Sequence, residues 1–342
     1  MPCHAGNRLL PAPALRHARF MQAGTRWKMV YVAAGALAWA TMTAAPLPHP
    51  QSAVDTDTPF MGAYRRAQPI VDWPLKQVLH EIPELKGLKP AADQSALAAT
   101  LSGAAQRLET VWKDFENTSS IETIEQSRQH INPPTDDVDQ AEQRFRYLML
   151  TDPDNPLRIM EYRTDLQGRA HNTGLAVAGF LETSGFASLP LFFDSQDQRL
   201  SDFRDFGSQT LHGRSCRVVA FAEHVDPSGV LSRWSIGKGK IPVLIQGVAW
   251  IDDNQIVEMR TDLLAPQPSI ALSRATTLVT FAPVQFHNAA GALWLPQEVV
   301  VTIDLDNHSY INRHRYSDYQ LFSVSTGEKP QSPQAPVRPT PP

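Results

Sequence analysis

Cysteine is nearly absent from this chain. There are 2 in 342 residues, Cys3 and Cys216. Cys3 lies ahead of a stretch with the features of a cleaved export signal, so Cys216 is expected to stand alone, which excludes an internal disulfide. Charge of one sign is lacking too. Lys and Arg number 31 against 35 Asp and Glu, a formal charge of −4. The five basic residues before position 46 (Arg8, Arg16, Arg19, Arg26, Lys28) have no acidic counterparts there, so the chain beyond position 45 is more acidic still. An acidic surface excludes nucleic acid and anionic headgroups as electrostatic partners. It leaves an uncharged apolar ligand open.

Long hydrophobic runs are also scarce. The single candidate, Met29 to Ala45, is uncharged, comes after Arg26 and Lys28, and ends in small residues. It is at the short limit for a bilayer span and is succeeded by Pro46, Pro48 and Pro50, which is the pattern of a secretory signal peptide. The expectation is residues 1–45 as signal and upstream lead, a periplasmic or secreted protein, and at most transient membrane contact. If the signal stays uncleaved, it becomes an N-terminal anchor.

Motifs for chemistry are missing. There is no Gly-x-Ser-x-Gly elbow. Gly237-Lys-Gly-Lys lacks the Gly-Lys-Ser/Thr ending of a phosphate loop, and no two histidines have His-x-x-x-His spacing. The cluster His308, Asn312, Arg313, His314, Arg315 and Asp318 is the strongest candidate for a metal hydrolase. In an extended strand, however, His308 and His314 lie about 20 Å apart. A polar strand edge with paired charges is the favoured reading, so no enzyme, cofactor or metal is expected.

What is present is β-structure. Leu244 to Leu264 reads as two strands around Asp252-Asp253-Asn254. Phe145, Tyr147 and Met149 alternate with Arg146, Leu148 and Leu150, and Val299, Val301, Ile303 and Leu305 alternate with Val300, Thr302 and Asp304. Cys216-Arg-Val-Val-Ala-Phe-Ala-Glu is strand-like, and Asn312 to Val324 reads as the last strand. Ahead of these, Leu97, Leu101, Leu108, Val111, Trp112 and Phe115 mark the apolar stripe of a helix that needs a sheet to pack on. Ile121 to Ile131 fits either helix or strand. Residues 46–72 read as a flexible linker, 73–328 as one α+β domain (73–130 mainly helical, 143–325 mainly strands), and 329–342 as a disordered Pro-rich tail.

Leu211-His-Gly-Arg-Ser-Cys-Arg-Val-Val, Gly247-Val-Ala-Trp-Ile-Asp with Ile256-Val-Glu-Met-Arg, and Leu293-Trp-Leu-Pro-Gln-Glu-Val resemble successive strand entries of the LolA/RseB-like half-barrel of lipoprotein carriers. Asn312-Arg-His-Arg-Tyr-Ser-Asp-Tyr is similar to a set of uncharacterised secreted bacterial proteins. The resemblance spans about residues 95–325. It implies a single incurved antiparallel sheet covered by helices, with Ile121–Ile131 as the first strand and a lid over the open side. It also implies a concavity that takes a lipid or lipoprotein acyl chain. Phe180, Phe186, Leu191 and Phe193 in an irregular segment, with Trp250, Val299 and Val301 on strands, are the residues expected to line it. The alternative is an envelope protein-interaction or sensor module with a closed core.

Overall fold

The computed structural model describes residues 30–33, 59–113, 117–152, 155–169, 179–225, 232–236, 239–286 and 291–321. The expected Pro-rich tail lies outside them. So does the expected export stretch, apart from β1 (Val30–Ala33), which pairs with β6 (Glu182–Thr183) and β9 (Ser232–Ile236) in a small sheet completed by β10 (Gly239–Val243).

Eleven strands form the main sheet. β2 (Lys89–Pro90) is one edge, then come β7 (Ser201–Leu211), β8 (Arg214–Glu223), β11 (Ile245–Asp252), β12 (Gln255–Leu263), β13 (Leu272–Gln285), β14 (Ala292–Leu305), β15 (His308–Leu321), β3 (Thr118–Ile131), β4 (Pro134–Asp152) and, at the other edge, β5 (Asn155–Thr164). Every pairing in it is antiparallel. Three two-residue turns, His212-Gly213, Asp253-Asn254 and Asp306-Asn307, have positive φ at both positions, the primed geometry that matches strand twist. Ile121–Ile131 is strand, not helix, so the sheet's long strands begin at Thr118 and the helical section ends earlier than position 130. The cluster around His314 lies on β15, an interior strand between β14 and β3 rather than an edge.

The sheet curls. Helix α3 (Leu97–Lys113, 17 residues) touches β7 near one edge and β5 at the other. Nine strand spacings span about 43 Å in a flat sheet, while the helix is about 25 Å long. Both contacts require the sheet to bend round the helix, so an open, incurved sheet is what forms. Ala104 and Leu108 of α3 are buried on the inner face with Leu97 and Leu101 beside them. The side chain of Trp112 and all of Phe115 lie outside the described residues.

The inner face carries Phe203, Val219, Phe221, Ala249, Met259, Val279, Val299, Val301, Tyr316, Tyr147 and Met149 in one continuous core. The outer face is treated in two ways. Over β7, β8, β11 and β12 it is apolar (Val218, Ala220, Val248, Trp250, Val257) and is covered by residues 61–88. This is why β8 reads as an unbroken apolar run: a strand buried on both faces has no polar alternation. The covering arm includes α1 (Pro59–Arg65), with Met61 and Tyr64 buried, then Ile70 and Val71, and α2 (Leu75–Glu81) with Val78. The fold therefore reaches back to residue 59, into the stretch expected as linker. Over β13 to β3 the outer face is open and carries ion pairs, Arg313 with Glu298, Arg315 with Glu125, and Arg274 with Asp304.

Gly247 lies where β11 and β12 approach closely. A Cβ there would sit 2.0 Å from the Arg260 carbonyl oxygen and 3.0 Å from the Phe221 ring. Backbone cannot give way as a flexible side chain can. Gly247→Ala is expected to lower stability by about 1–3 kcal/mol, read as a reduced urea midpoint at unchanged slope.

Candidate functional site

Residues 179–200 lie across the inner face. The expected lid over the open side is not an α-helix here. Among the described residues the segment consists of β6 and two 3-10 turns, Leu189–Phe193 and Gln198–Leu200. Its apolar side chains fill the concavity. Phe193 is fully buried, with its ring 5.4 Å from that of Phe203 and 5.8 Å from that of Phe221. Phe186 packs against the His314 ring at 4.9 Å.

Of the residues expected to line a ligand site, Phe186, Phe193, Val299 and Val301 meet in this core, with Leu191 half-buried beside it. Phe180 lies further out, half-buried, with the Arg128 guanidinium 5.9 Å from its ring centre. Trp250 does not join them. Strand alternation turns it to the outer face, where Nε1 donates to Gln209 Oε1 at 2.8 Å beneath the N-terminal arm.

Beneath the segment runs a polar seam that sequence reasoning did not find. It runs along β3 and β15, whose register brings Tyr316 opposite Glu122, Asn312 opposite Gln126, Tyr310 opposite Arg128 and His308 opposite His130. At its deepest point the fully buried Glu122 pairs with Arg163 of β5. Arg163 also donates through Nη2 to Glu122 Oε1 at 2.7 Å and to the Thr183 carbonyl at 3.0 Å. His314 Nδ1 and the Tyr316 hydroxyl each donate to Glu122 Oε1 at 2.9 Å. Burial opposes the charge on Glu122, but Arg163 and the hydrogen bonds from Arg163 and His314 outweigh it and hold the carboxyl at about 2. Burial acts the other way on His314. It outweighs the adjoining carboxylate and keeps the imidazole below its ordinary range. A neutral ring with its proton on Nδ1 leaves Nε2 to accept from the Thr183 hydroxyl at 2.7 Å, and that oxygen accepts from Asn312 Nδ2 at 3.0 Å.

Most of the remaining bonds reach the covering segment. Asn312 and Gln126 donate to the Leu181 carbonyl at 2.9 and 3.0 Å. Glu161 of β5 accepts from the backbone N–H groups of Gly185 and Ala187 at 2.7 and 3.0 Å. Burial raises the Glu161 carboxyl despite those bonds.

Thr183, His314 and Glu122 stand in the hydroxyl–imidazole–carboxylate order of an acyl-transfer relay. Thr183 is buried and its hydroxyl oxygen is occupied by Asn312, so no face is open to a substrate. His314 likewise has both nitrogens engaged, and Asp318 is exposed at a bulge in β15. The trio His308, His314 and Asp318 does not converge, and no group of three metal-ligating side chains occurs among the described residues. Cys216 is buried on the outer face, where burial pushes its thiol up to about 11.

A cleft of about 500 Å³ at the side of α3 is lined by Arg107, Arg214, Asp252, Asp253 and Trp294. It shares Arg107, Asn254, Gln255 and Trp294 with an apolar throat of about 20 Å³ between Leu108, Ala187, Pro190 and Phe281. The throat holds about one water.

No protein-family model matches the chain, and no curated protein sequence matches it. Among solved structures it is similar to a Vibrio parahaemolyticus domain described as an outer membrane lipoprotein-sorting protein. Identity is 12%, TM-score 0.35, with 67% of this chain and 94% of that chain covered. It is likewise similar to a DUF1329 family protein from Desulfovibrio piger, at 10% identity, TM-score 0.35, and 68% and 94% coverage. No helix among the described residues is long and apolar enough to cross a membrane.

The seam is expected to make the fold less stable in acid. His314 has its folded-state pKa depressed, so as pH falls below about 6.5 the unfolded chain takes up a proton first and stability drops. Glu122 adds a second loss as pH falls from 4.5 toward 2. Glu161, raised by burial, gains as pH falls and offsets part of it. The thermal midpoint is expected to decline from pH 7 to pH 5, and His314→Gln is expected to flatten that decline.

Proposed function

We propose that this chain is an exported binding protein whose incurved inner face takes a lipid or lipoprotein acyl chain in exchange for residues 179–193. The observation that carries this reading is the nature of the cover. A wide apolar inner face is closed by a segment of short turns, with no long strand or α-helix of its own. Apolar side chains supplied by an irregular segment are of the kind an acyl chain replaces, since both are driven by burial at roughly 25 cal/mol per Å². The net affinity is then the difference between two burials, less the cost of ordering.

A second reading, a protein-interaction or sensor module with a closed core, draws on a separate observation. Phe186 and Phe193 are already buried, and the segment is tied down by a buried polar seam.

Native mass spectrometry of the protein exported in its own host and never denatured distinguishes the two. Added mass that organic solvent removes is expected for the binding protein. A protein-only mass, unchanged after incubation with membrane lipids, overturns it in favour of the closed module. The same exchange predicts that Thr183→Ala, which removes the hydroxyl's bonds to His314 and Asn312 and leaves those to the Leu181 and Thr183 carbonyls, raises the uptake of a fluorescent fatty acid severalfold. Equal uptake by both forms would count against displacement of the segment.

A further inference from the structure

We infer that His130 and His308 form a two-histidine chelate for a divalent transition-metal ion, at the rim of the inner face where β3 and β15 meet their turns. The two residues are direct cross-strand partners. Their ring centres are 4.8 Å apart at an interplanar angle of 83°. His130 Nδ1 lies 2.7 Å from the Pro133 carbonyl and His308 Nδ1 lies 2.9 Å from the Asp306 carbonyl. A carbonyl oxygen only accepts, so each ring carries its proton on Nδ1. The lone pair of each neutral imidazole is then on Nε2. Fixing a metal-binding histidine through an Nδ1–H bond to backbone is how the free nitrogen is oriented and made more basic.

The ring-centre spacing is compatible with one ion shared by the two Nε2 atoms. A metal about 2.1 Å from a ring nitrogen is about 3.2 Å from the ring centre. Centres 4.8 Å apart then subtend about 100° at the metal, between the square-planar and tetrahedral angles. The frame is tied together before any ion arrives, because Ile131 N–H donates to the Asn307 carbonyl at 2.8 Å and so joins the two turns that hold the rings. Arg128, two positions before His130 on the same face of β3, is committed to Asp139 and the Gly179 carbonyl. On β4, Asp136, Asp137 and Asp139 are exposed.

No third His, Cys, Asp or Glu completes the set among the described residues. Two imidazoles therefore hold the ion and water takes its other positions. Such a site obeys intrinsic affinity, with Cu(II) ahead of Ni(II) and Zn(II). This site is independent of the concavity and of what fills it.

The test is a Cu(II) titration of the whole chain, free of any histidine tag, by calorimetry and electron paramagnetic resonance. His130→Ala and His308→Ala are each expected to weaken one equivalent by about tenfold or more and to remove its two-nitrogen signature. His80→Ala, at an exposed position away from the pair, is expected to leave that equivalent unchanged. Both rings lie near the surface, so circular dichroism of the two variants should match that of the parent. Retention of parental Cu(II) affinity and stoichiometry in either variant, or no Cu(II) binding by the parent, would overturn the assignment.

Discussion

A wide antiparallel sheet must bury at least one face along its whole width, and here a single 17-residue helix has to help cover strands at both of its margins. That constraint curls the sheet and gives its two faces different tasks. The inner face becomes a trough whose floor is continuous from β7 to β5. The outer face divides. Where the chain has an arm to spare, residues 61–88, the strands are apolar on both sides. Where it has none, the outward positions carry arginines paired across strands with glutamates or an aspartate. Exposed pairs of that kind contribute little stability, but they keep the open face from offering an apolar surface to other sheets.

The trough then needs a filling, and the chain supplies one in irregular backbone. Residues 179–200 lack a long ladder to satisfy their N–H and C=O groups, and they run over a dry core where each unsatisfied group is costly. The polar seam answers that need group by group. Arg128 serves the Gly179 carbonyl, Gln126 and Asn312 the Leu181 carbonyl, Arg163 the Thr183 carbonyl, and Glu161 the amides of Gly185 and Ala187. The buried ions are thus an accompaniment of the irregular cover. Removing one partner, as in Glu122→Gln, would leave Arg163 with an uncompensated charge, a loss of about 3–5 kcal/mol.

Much of the sheet was legible because alternation and turn residues are local signals. Val299, Val301 and Ile303 point inward as their spacing says, and Asp253-Asn254 makes the turn its residues favour. The seam was not legible because its members are far apart in sequence. Glu122 and His314 are 192 positions apart and Glu122 and Arg163 are 41 apart. Each looks, alone, like an ordinary surface residue. The run Asn312-Arg-His-Arg shows how both faces mix in one string: Asn312 and His314 are buried inside, while Arg313 and Arg315 pair outside. Trp250 was misplaced for a related reason. On a strand buried on both faces hydrophobicity no longer tells inside from outside, and only the register with β8 and β12 does. The short arm from residue 59 was hidden by its Pro-, Thr- and Asp-rich approach.

The way polar partners are divided between cover and sheet bears on the exchange proposed above. Glu122, Arg163, His314 and Tyr316 all belong to strands β3, β5 and β15, and their bonds to one another do not pass through residues 179–200. If the cover leaves, Glu122 and Arg163 stay paired, while Arg163 and His314 exchange their bonds to Thr183 for water. The cover gives up the Thr183 hydroxyl, the Gly179, Leu181 and Thr183 carbonyls and the two amides held by Glu161, all of which water can satisfy in the open state. The main penalty for opening is therefore apolar, the exposure of the trough floor together with Phe186 and Phe193. An acyl chain entering the trough would recover the burial of the floor. Neutral polar groups on the moving side, and an ion pair on the fixed side that keeps its own partner when Thr183 departs, are compatible with the exchange proposed above.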